Sequence, residues 1–274
     1  MLIDYHLHNH FSPDSQTETV ELLKRAQDQG MREICITNHA EWFTMENWHG
    51  VFELNEAIQR FSDVESEIDH IQPQFFDIPI KLGTELTYSP DDLVAIEQFL
   101  GIIDFDFVLG SVHDIDDIII NSHKDEVRYF PGKSEEEAYL PYFQQLRDLA
   151  EWGQCDVIAH FDTIKKYGHK YYGPFEPEKY KRLIISVLEV MKKNGIGLEI
   201  NSNCLHDKCQ ELFPHPTILK WALEVGIEYF TLGSDAHSPE EVSRHIAESM
   251  EMVKTIGLKQ ITTYEKRKPI LHSI

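Results

Sequence analysis

Near its start the chain reads Asp4-Tyr5-His6-Leu7-His8-Asn9-His10. Side chains alternate faces along an extended strand, so His6 and His8 point the same way, one pleat apart. Two imidazoles on one face at the end of a strand are half of a metal site. The same spacing returns late in the chain, where Asp235 and His237 flank Ala236. Between these pairs, apolar runs repeatedly stop on a residue that can bind a metal. Ile34-Cys35-Ile36-Thr37-Asn38 stops at His39, Leu82-Gly83-Thr84 at Glu85, Leu109-Gly110-Ser111-Val112 at His113, and Val157-Ile158-Ala159 at His160. Asp14 lies just beyond the first run. Chains turn at strand ends, and Asn, Asp and Ser are favoured there, which accounts for Asn201. Turn chemistry gives no reason for five separate runs to end on histidine, whereas metal ligation does.

The nine candidates His6, His8, Asp14, His39, Glu85, His113, His160, Asp235 and His237 are too many for one ion, because zinc takes about four ligands. Two or three divalent ions fit the set, with Glu85 a natural bridge. Mixed imidazole and carboxylate ligands without thiolate suit Zn, Mn or Fe. Such a cluster points to hydrolysis, because bound ions generate hydroxide near neutral pH and hold phosphoryl or carbonyl oxygens. His10 is either a further ligand or an outer donor to one. His49, His70, His123, His169, His206, His215, His245 and His272 fall in helices or loops and are expected to be solvated. His206 also follows the sixth strand closely enough to touch a substrate.

The elements that must position these residues alternate. Strands are expected at 2–7, 32–37, 78–82, 105–112, 155–159, 197–200 and 229–233. Helices are expected at 17–29, 53–71, 90–100, 134–152, 177–193 and 239–256, each with an apolar stripe at helical spacing. Residues 260–264 form a last extended piece. About seven strand-then-helix units, with no glycine-rich dinucleotide turn, favour a closed parallel barrel over an open sheet. In a barrel the C-terminal ends of the strands meet at one mouth, where active sites are built. The acidic stretch 114–133 is long enough to be a lid over that mouth. The length suits one domain spanning residues 1–274.

Composition narrows the partners. Lys plus Arg is 25 against 47 Asp plus Glu, a formal net charge of -22. That surface repels phosphate backbones, so nucleic-acid binding is not expected, although a cluster of bound cations would still attract a small phosphate ester. No apolar run is long enough to cross a membrane. With no leader ahead of the first strand and no Cys-x-x-Cys pairing, Cys35, Cys155, Cys204 and Cys209 are expected to be reduced and the protein cytoplasmic.

Together these motifs resemble the PHP (polymerase and histidinol phosphatase) family. Its first motif, His-x-His followed after five intervening residues by an acid or histidine, matches His6, His8 and Asp14. Asn38-His39, Gly83-Thr84-Glu85, Ser111-Val112-His113, Ile158-Ala159-His160 and Gly233-Ser234-Asp235-Ala236-His237 match the later ones. The resemblance implies a distorted (β/α)7 barrel of TIM-like type with a trinuclear metal centre. It implies one ion on His6, His8, Glu85 and Asp235, a second on Glu85, His113 and His160, and a third on Asp14, His39 and His237. Asp14, His39, Asp235 and His237 are then the residues closest to the catalysis. The chain departs from the pattern at Asn38, where many relatives carry Asp.

Within the family, the length and the ending Tyr264-Glu265-Lys266-Arg267-Lys268-Pro269 most resemble the stand-alone histidinol-phosphatases, which implies histidinol phosphate as substrate. Phosphate contacts are expected from Lys165 or Lys166, Arg244 and Arg267. Glu41, Asp114, Asp116, Asp117 and Asp162 are candidates to recognise the ammonium and imidazole of the alcohol. The alternatives are another small phosphate ester, with Trp42 and Phe43 the nearest aromatics to stack on a base, or a metal-stabilised interaction module.

Overall fold

The computed structural model describes residues 1–42, 53–206 and 209–274; Phe43 and His49 lie outside the described residues. The strands are β1 Ile3–Leu7, β2 Glu33–Ile36, β3 His39–Ala40, β4 Ile80–Thr87, β5 Phe107–Ser111, β6 Asp114–Ile115, β7 Ile118–Ile119, β8 Val157–Ile158, β9 Gly197–Asn201, β10 Phe230–Gly233, β11 Gln260–Glu265 and β12 Lys268–Ser273. The α-helices are α1 Thr19–Asp28, α2 Leu54–Ile71, α3 Leu93–Ile102, α4 Glu126–Tyr129, α5 Glu135–Trp152, α6 Lys165–Tyr172, α7 Lys181–Asn194, α8 Pro216–Val225 and α9 Ile246–Ile256.

Seven strands pair in parallel in the order β1-β2-β4-β5-β8-β9-β10, with β3 extending the pairing of β4. The two ends of this sheet meet. Leu7 bridges Ala236 in parallel, the His8 N–H donates to the Ala236 carbonyl at 2.9 Å, and the Asp235 N–H donates to the His6 carbonyl at 2.9 Å. The sheet is therefore a nearly closed α/β barrel of the expected TIM-like kind. Every residue of β1, β5, β9 and β10 is buried. This is what strands covered by helices outside and side chains inside require.

The seam where β1 meets β10 is held from within. Asp4, fully buried, accepts the Ser234 and Ser243 N–H groups, both at 2.9 Å, and their hydroxyls at 2.6 and 3.1 Å. Truncating it would leave buried donors unpaired, at about 1–3 kcal/mol each. The same carboxylate explains why the last long helix starts later than its apolar pattern suggests. Ser243 N–H is diverted to Asp4, and Ser243 and His245 take left-handed φ values of 57° and 61°, so α9 begins only at Ile246.

Local sequence sets the other helix ends. Ser134 caps α5 in a capping box with Glu137, and Gly153 ends it at φ 73°, a conformation costly for residues bearing a Cβ. Strand β8 is shorter than expected, and just ahead of it Asp156 holds Val108 twice, its N–H donating to the Val108 carbonyl and its carboxylate accepting the Val108 N–H, both at 2.8 Å. The stretch 114–133 is built of the β6-β7 hairpin and α4. Besides α4, two described helices stand outside the sequence expectations, α6 and α8; Pro216 opens α8 and Gly226 closes it.

The opposite end of the barrel is covered by the antiparallel β11-β12 hairpin. The Tyr264 N–H donates to the Tyr5 hydroxyl at 2.9 Å, and its ring lies 5.0 Å from that of Phe107. Arg267 is in the hairpin turn. Its N–H donates to the Asp106 carbonyl, and its guanidinium contacts Asp156 at 3.1 Å, both just ahead of their strands. This corrects the expectation that Arg267 clamps phosphate: it lies at the N-terminal ends of the strands, away from the mouth. Cys204 and Cys209 form a disulfide, so of the four thiols expected to be reduced only Cys35 and Cys155 are free. No described helix is long and apolar enough to cross a membrane.

Candidate metal centre

The nine expected ligands gather at the C-terminal mouth of the barrel. Their donor atoms fall into overlapping groups: His6, His8 and Asp235; His6, Glu85 and His160; His8, Asp14, His39 and His237; and His39 and His113 with Glu41. Each group mixes residues from the ends of different strands, and His6, His8, Asp235 and His237 meet where β1 joins β10. The geometry at two strand ends is unusual. His160 and Asp235 have φ values of 21° and 57°, in the left-handed region that favours glycine. Such turns are retained where surrounding contacts enforce them, and they occur often at functional sites.

Glu85 is at the middle. Its Oε1 lies 2.8 Å from His160 Nε2 and 3.0 Å from His113 Nε2. Its Oε2 lies 3.1 Å from His6 Nε2, 3.1 Å from His39 Nδ1 and 3.5 Å from His8 Nε2. The two oxygens thus face different donor groups, as a bridging carboxylate would. Asp14 lies 3.2 Å from His39 Nε2 and 3.1 Å from His237 Nε2, at the more open rim.

Burial makes this arrangement costly without a cation. His6, His8 and Glu85 are at most 1% exposed, yet His6 Nε2, His8 Nε2 and Glu85 Oε2 have no hydrogen-bond partner. Orphaned buried polar atoms cost about 1–3 kcal/mol each. Three that converge on one space, all good metal donors, fit divalent ions there.

Without ions, protons on the imidazoles balance the buried carboxylates. Burial lowers His39, but Asp14, Glu85 and Glu41 outweigh it and raise the ring to about 10. At His113 burial is likewise outweighed by Glu85 and Glu41, raising it to about 9. His8 moves the other way. Burial and the neighbouring rings of His237, His39 and His6 hold it well below the usual histidine range. Burial tends to raise Glu85, but His6, His113 and His39 hold it well below the normal carboxylate range.

A cleft of about 370 Å³ opens onto the cluster. Beyond the ligands it is lined by Glu41, Ile119, Asn121, Ser122, Thr163, Lys166, Asn203, Phe213 and Glu241. Ile119, Asn121 and Ser122 come from the 114–133 stretch. Lys166 is the one Lys or Arg among the described lining residues, and its Nζ donates to Asn203 Oδ1 at 3.0 Å.

Other expected substrate contacts are elsewhere. Lys165 is 1% exposed and turned into the core, 2.8 Å from Asp162 Oδ2 and 2.7 Å from the Leu212 carbonyl, so it cannot reach a phosphate in the cleft. Arg244 and His206 do not line the cleft; Arg244 reaches the Glu240 carbonyl, and the His206 ring stacks 6.0 Å from His245. Asp162 is buried and does not line the cleft, and its Oδ2 accepts from Lys165 and the His215 N–H. Asp114, Asp116 and Asp117 are not among the lining residues. Glu41 does face the cleft, but it is buried and accepts from Thr87 at 3.1 Å beside His113 Nδ1, so it serves a ligand. His10 stands apart from the cluster, between Glu18 and Glu67. Trp42 is buried and packs against Phe99. Asn38, the departure from the motif, pairs its amide with Asn9 at 2.7 Å.

Sequence reasoning missed Thr87, Asn203, Phe213 and above all Glu199, whose Oε1 is 2.7 Å from His6 Nδ1. A signal for Glu199 existed: an acid in the apolar run Gly197-Leu198-Glu199-Ile200 has to face something inside.

With this geometry in place, comparison with known proteins is informative. The PHP domain matches residues 4–203. The histidinol-phosphatase of Lactococcus lactis is 28% identical, over 97% of this chain and 95% of the relative. A probable histidinol-phosphatase of Deinococcus radiodurans is also 28% identical, over 98% and 99%. A crystal structure of the Lactococcus lactis histidinol phosphate phosphatase, complexed with zinc, L-histidinol and phosphate, superposes with a TM-score of 0.83 at 27% identity, covering 98% of both chains.

The proton balance has a measurable consequence. Ion-free protein keeps His39 and His113 protonated up to about 10 and 9, and ligation requires both to be neutral. Loading zinc at pH 7.5 therefore releases protons, and the apparent affinity falls as pH is lowered. Calorimetric titrations in buffers of different ionisation enthalpy check this; heats that do not vary with the buffer contradict it.

Proposed function

The chain belongs to the PHP domain family, and from that premise we propose that it is a metal-dependent phosphatase that hydrolyses L-histidinol phosphate to L-histidinol and phosphate. The observation that carries this reading is the convergence of six imidazoles and three carboxylates: Asp14, His39, Glu85, His113, His160, Asp235 and His237 line one cleft, with His6 and His8 buried against them. Their chemistry suits two or three Zn, Mn or Fe ions. His6, His8, Glu85 and Asp235 would hold one, Glu85, His113 and His160 a second, and Asp14, His39 and His237 a third. Bound there, the ions supply positive charge that activates water and neutralises the phosphoryl oxygens.

The protein supplies position and exclusion. Ile119 and Phe213 give the cleft wall apolar surface against which the alcohol half of a small substrate can pack out of water. Lys166 provides an ammonium on the substrate side of the ligands and donates to a phosphoryl oxygen.

The purified, metal-loaded protein is expected to release phosphate from L-histidinol phosphate with a kcat/KM well above that for nucleoside monophosphates, sugar phosphates or p-nitrophenyl phosphate. A chelator abolishes the activity and divalent ions restore it. Preference for another ester in the panel, or full activity after chelation, refutes the assignment. In the same assay Lys166→Met raises KM about tenfold with a smaller effect on kcat, as loss of one charge-assisted contact would. An unchanged KM removes Lys166 from the phosphate site.

A further inference from the structure

Glu199 is an acid outside the ligand set, and it lies directly beneath it. It occupies the middle of β9, between Leu198 and Ile200, and is 1% exposed. The two-residue alternation of a strand turns it inward. Its Oε1 is 2.7 Å from His6 Nδ1, while its Oε2 accepts the backbone N–H of His160 at 2.7 Å and the Asn201 amide at 3.2 Å. Both oxygens are engaged, and they lead to two ligand histidines of different strands.

Each contact constrains a ligand. A neutral imidazole carries one N–H, and an ionised carboxylate only accepts, so the contact to Glu199 puts the His6 proton on Nδ1. The lone pair then lies on Nε2, the nitrogen that faces Glu85 and Asp235. His160 is constrained through its backbone. Its φ of 21° is unfavourable for a residue with a side chain, and its N–H is anchored by Glu199 in that conformation. The ring is thereby aimed so that Nε2 meets Glu85 Oε1. The neighbouring strand makes room. A Cβ on Gly233 would lie 2.2 Å from Glu199 Oε1 and 2.6 Å from the His6 Cβ, so only glycine leaves this acid in place.

We propose that Glu199 is the positioning residue of the metal centre: it fixes His6 as the Nδ1–H tautomer and holds the His160 backbone, so that both rings present Nε2 to the ions, and Gly233 is the space it requires. This rests on the metal-centre reading above and deepens it, since the acid itself ligates nothing.

Two measurements test it. Zinc affinity is read by competition with a chromophoric chelator for wild type, Glu199→Gln, Glu199→Asp and Gly233→Ala, each first checked for native circular dichroism. Gln has one acceptor oxygen where donors meet both oxygens of Glu199, Asp is too short to span from His6 to His160, and Ala at 233 displaces the acid. All three are expected to bind zinc 10–100-fold more weakly, with Glu199→Asp the least affected. Variants that bind zinc as wild type does overturn the role of Glu199 and leave the metal centre standing; wild type that binds no zinc overturns the metal centre itself. The second measurement needs no variant. In zinc-loaded wild type labelled with 15N-histidine, His6 is expected to be protonated at Nδ1 and ligated through Nε2. The reverse tautomer overturns the proposal whether or not the variants fold.

Discussion

The rest of the structure answers to one electrostatic constraint: acids and imidazoles have been drawn out of water and set within about 3–4 Å of each other. Taken alone the cluster is unfavourable. Glu85 is buried, orphaned nitrogens of His6 and His8 point at it, and His8 is forced neutral by the rings around it. Desolvating such charges costs several kcal/mol per ion unless compensating charge is supplied. Divalent cations supply it, and their binding energy is then part of what the folded state gains. The site is a preformed cage in which cations can replace the protons that otherwise balance its buried carboxylates.

The barrel can build that cage because parallel strands end together. Ligands that are hundreds of residues apart in sequence become neighbours once β1 and β10 are joined, and Asp4 locks that join with four hydrogen bonds to Ser234 and Ser243. Asp4 is two residues before His6, and Ser234 is next to Asp235, so the same contact that closes the sheet fixes the spacing of four ligands. The two ends of the barrel divide the work. The mouth carries the strained strand ends of His160 and Asp235, while the floor, closed by the β11-β12 hairpin through Tyr264 and Arg267, carries conventional packing and ion pairs.

Much of this was legible in the sequence because the relevant rules are local. Alternation put His6 and His8 on one face, and the repeated ending of apolar runs on His or Glu named the mouth before any fold was known. Reading substrate contacts failed where orientation depended on elements the sequence did not announce. Lys165 and Lys166 are adjacent, but the first turn of α6 sends Lys165 into the core towards Asp162 and Lys166 towards the cleft. Arg267 follows the last ligand in sequence, yet it belongs to a hairpin whose second strand, β12, carries no strong period-two pattern. Glu199 was passed over because an apolar run was read for its end and not for the parity of its members.

The most direct measurement is anomalous diffraction from crystals of the zinc-loaded protein, with data on both sides of the zinc absorption edge. Two or three peaks are predicted in the barrel mouth, about 2.0–2.2 Å from the nitrogens and oxygens of His6, His8, Glu85, His113, His160, Asp235, Asp14, His39 and His237. A mouth without anomalous density, with zinc held only by surface histidines, would contradict the account.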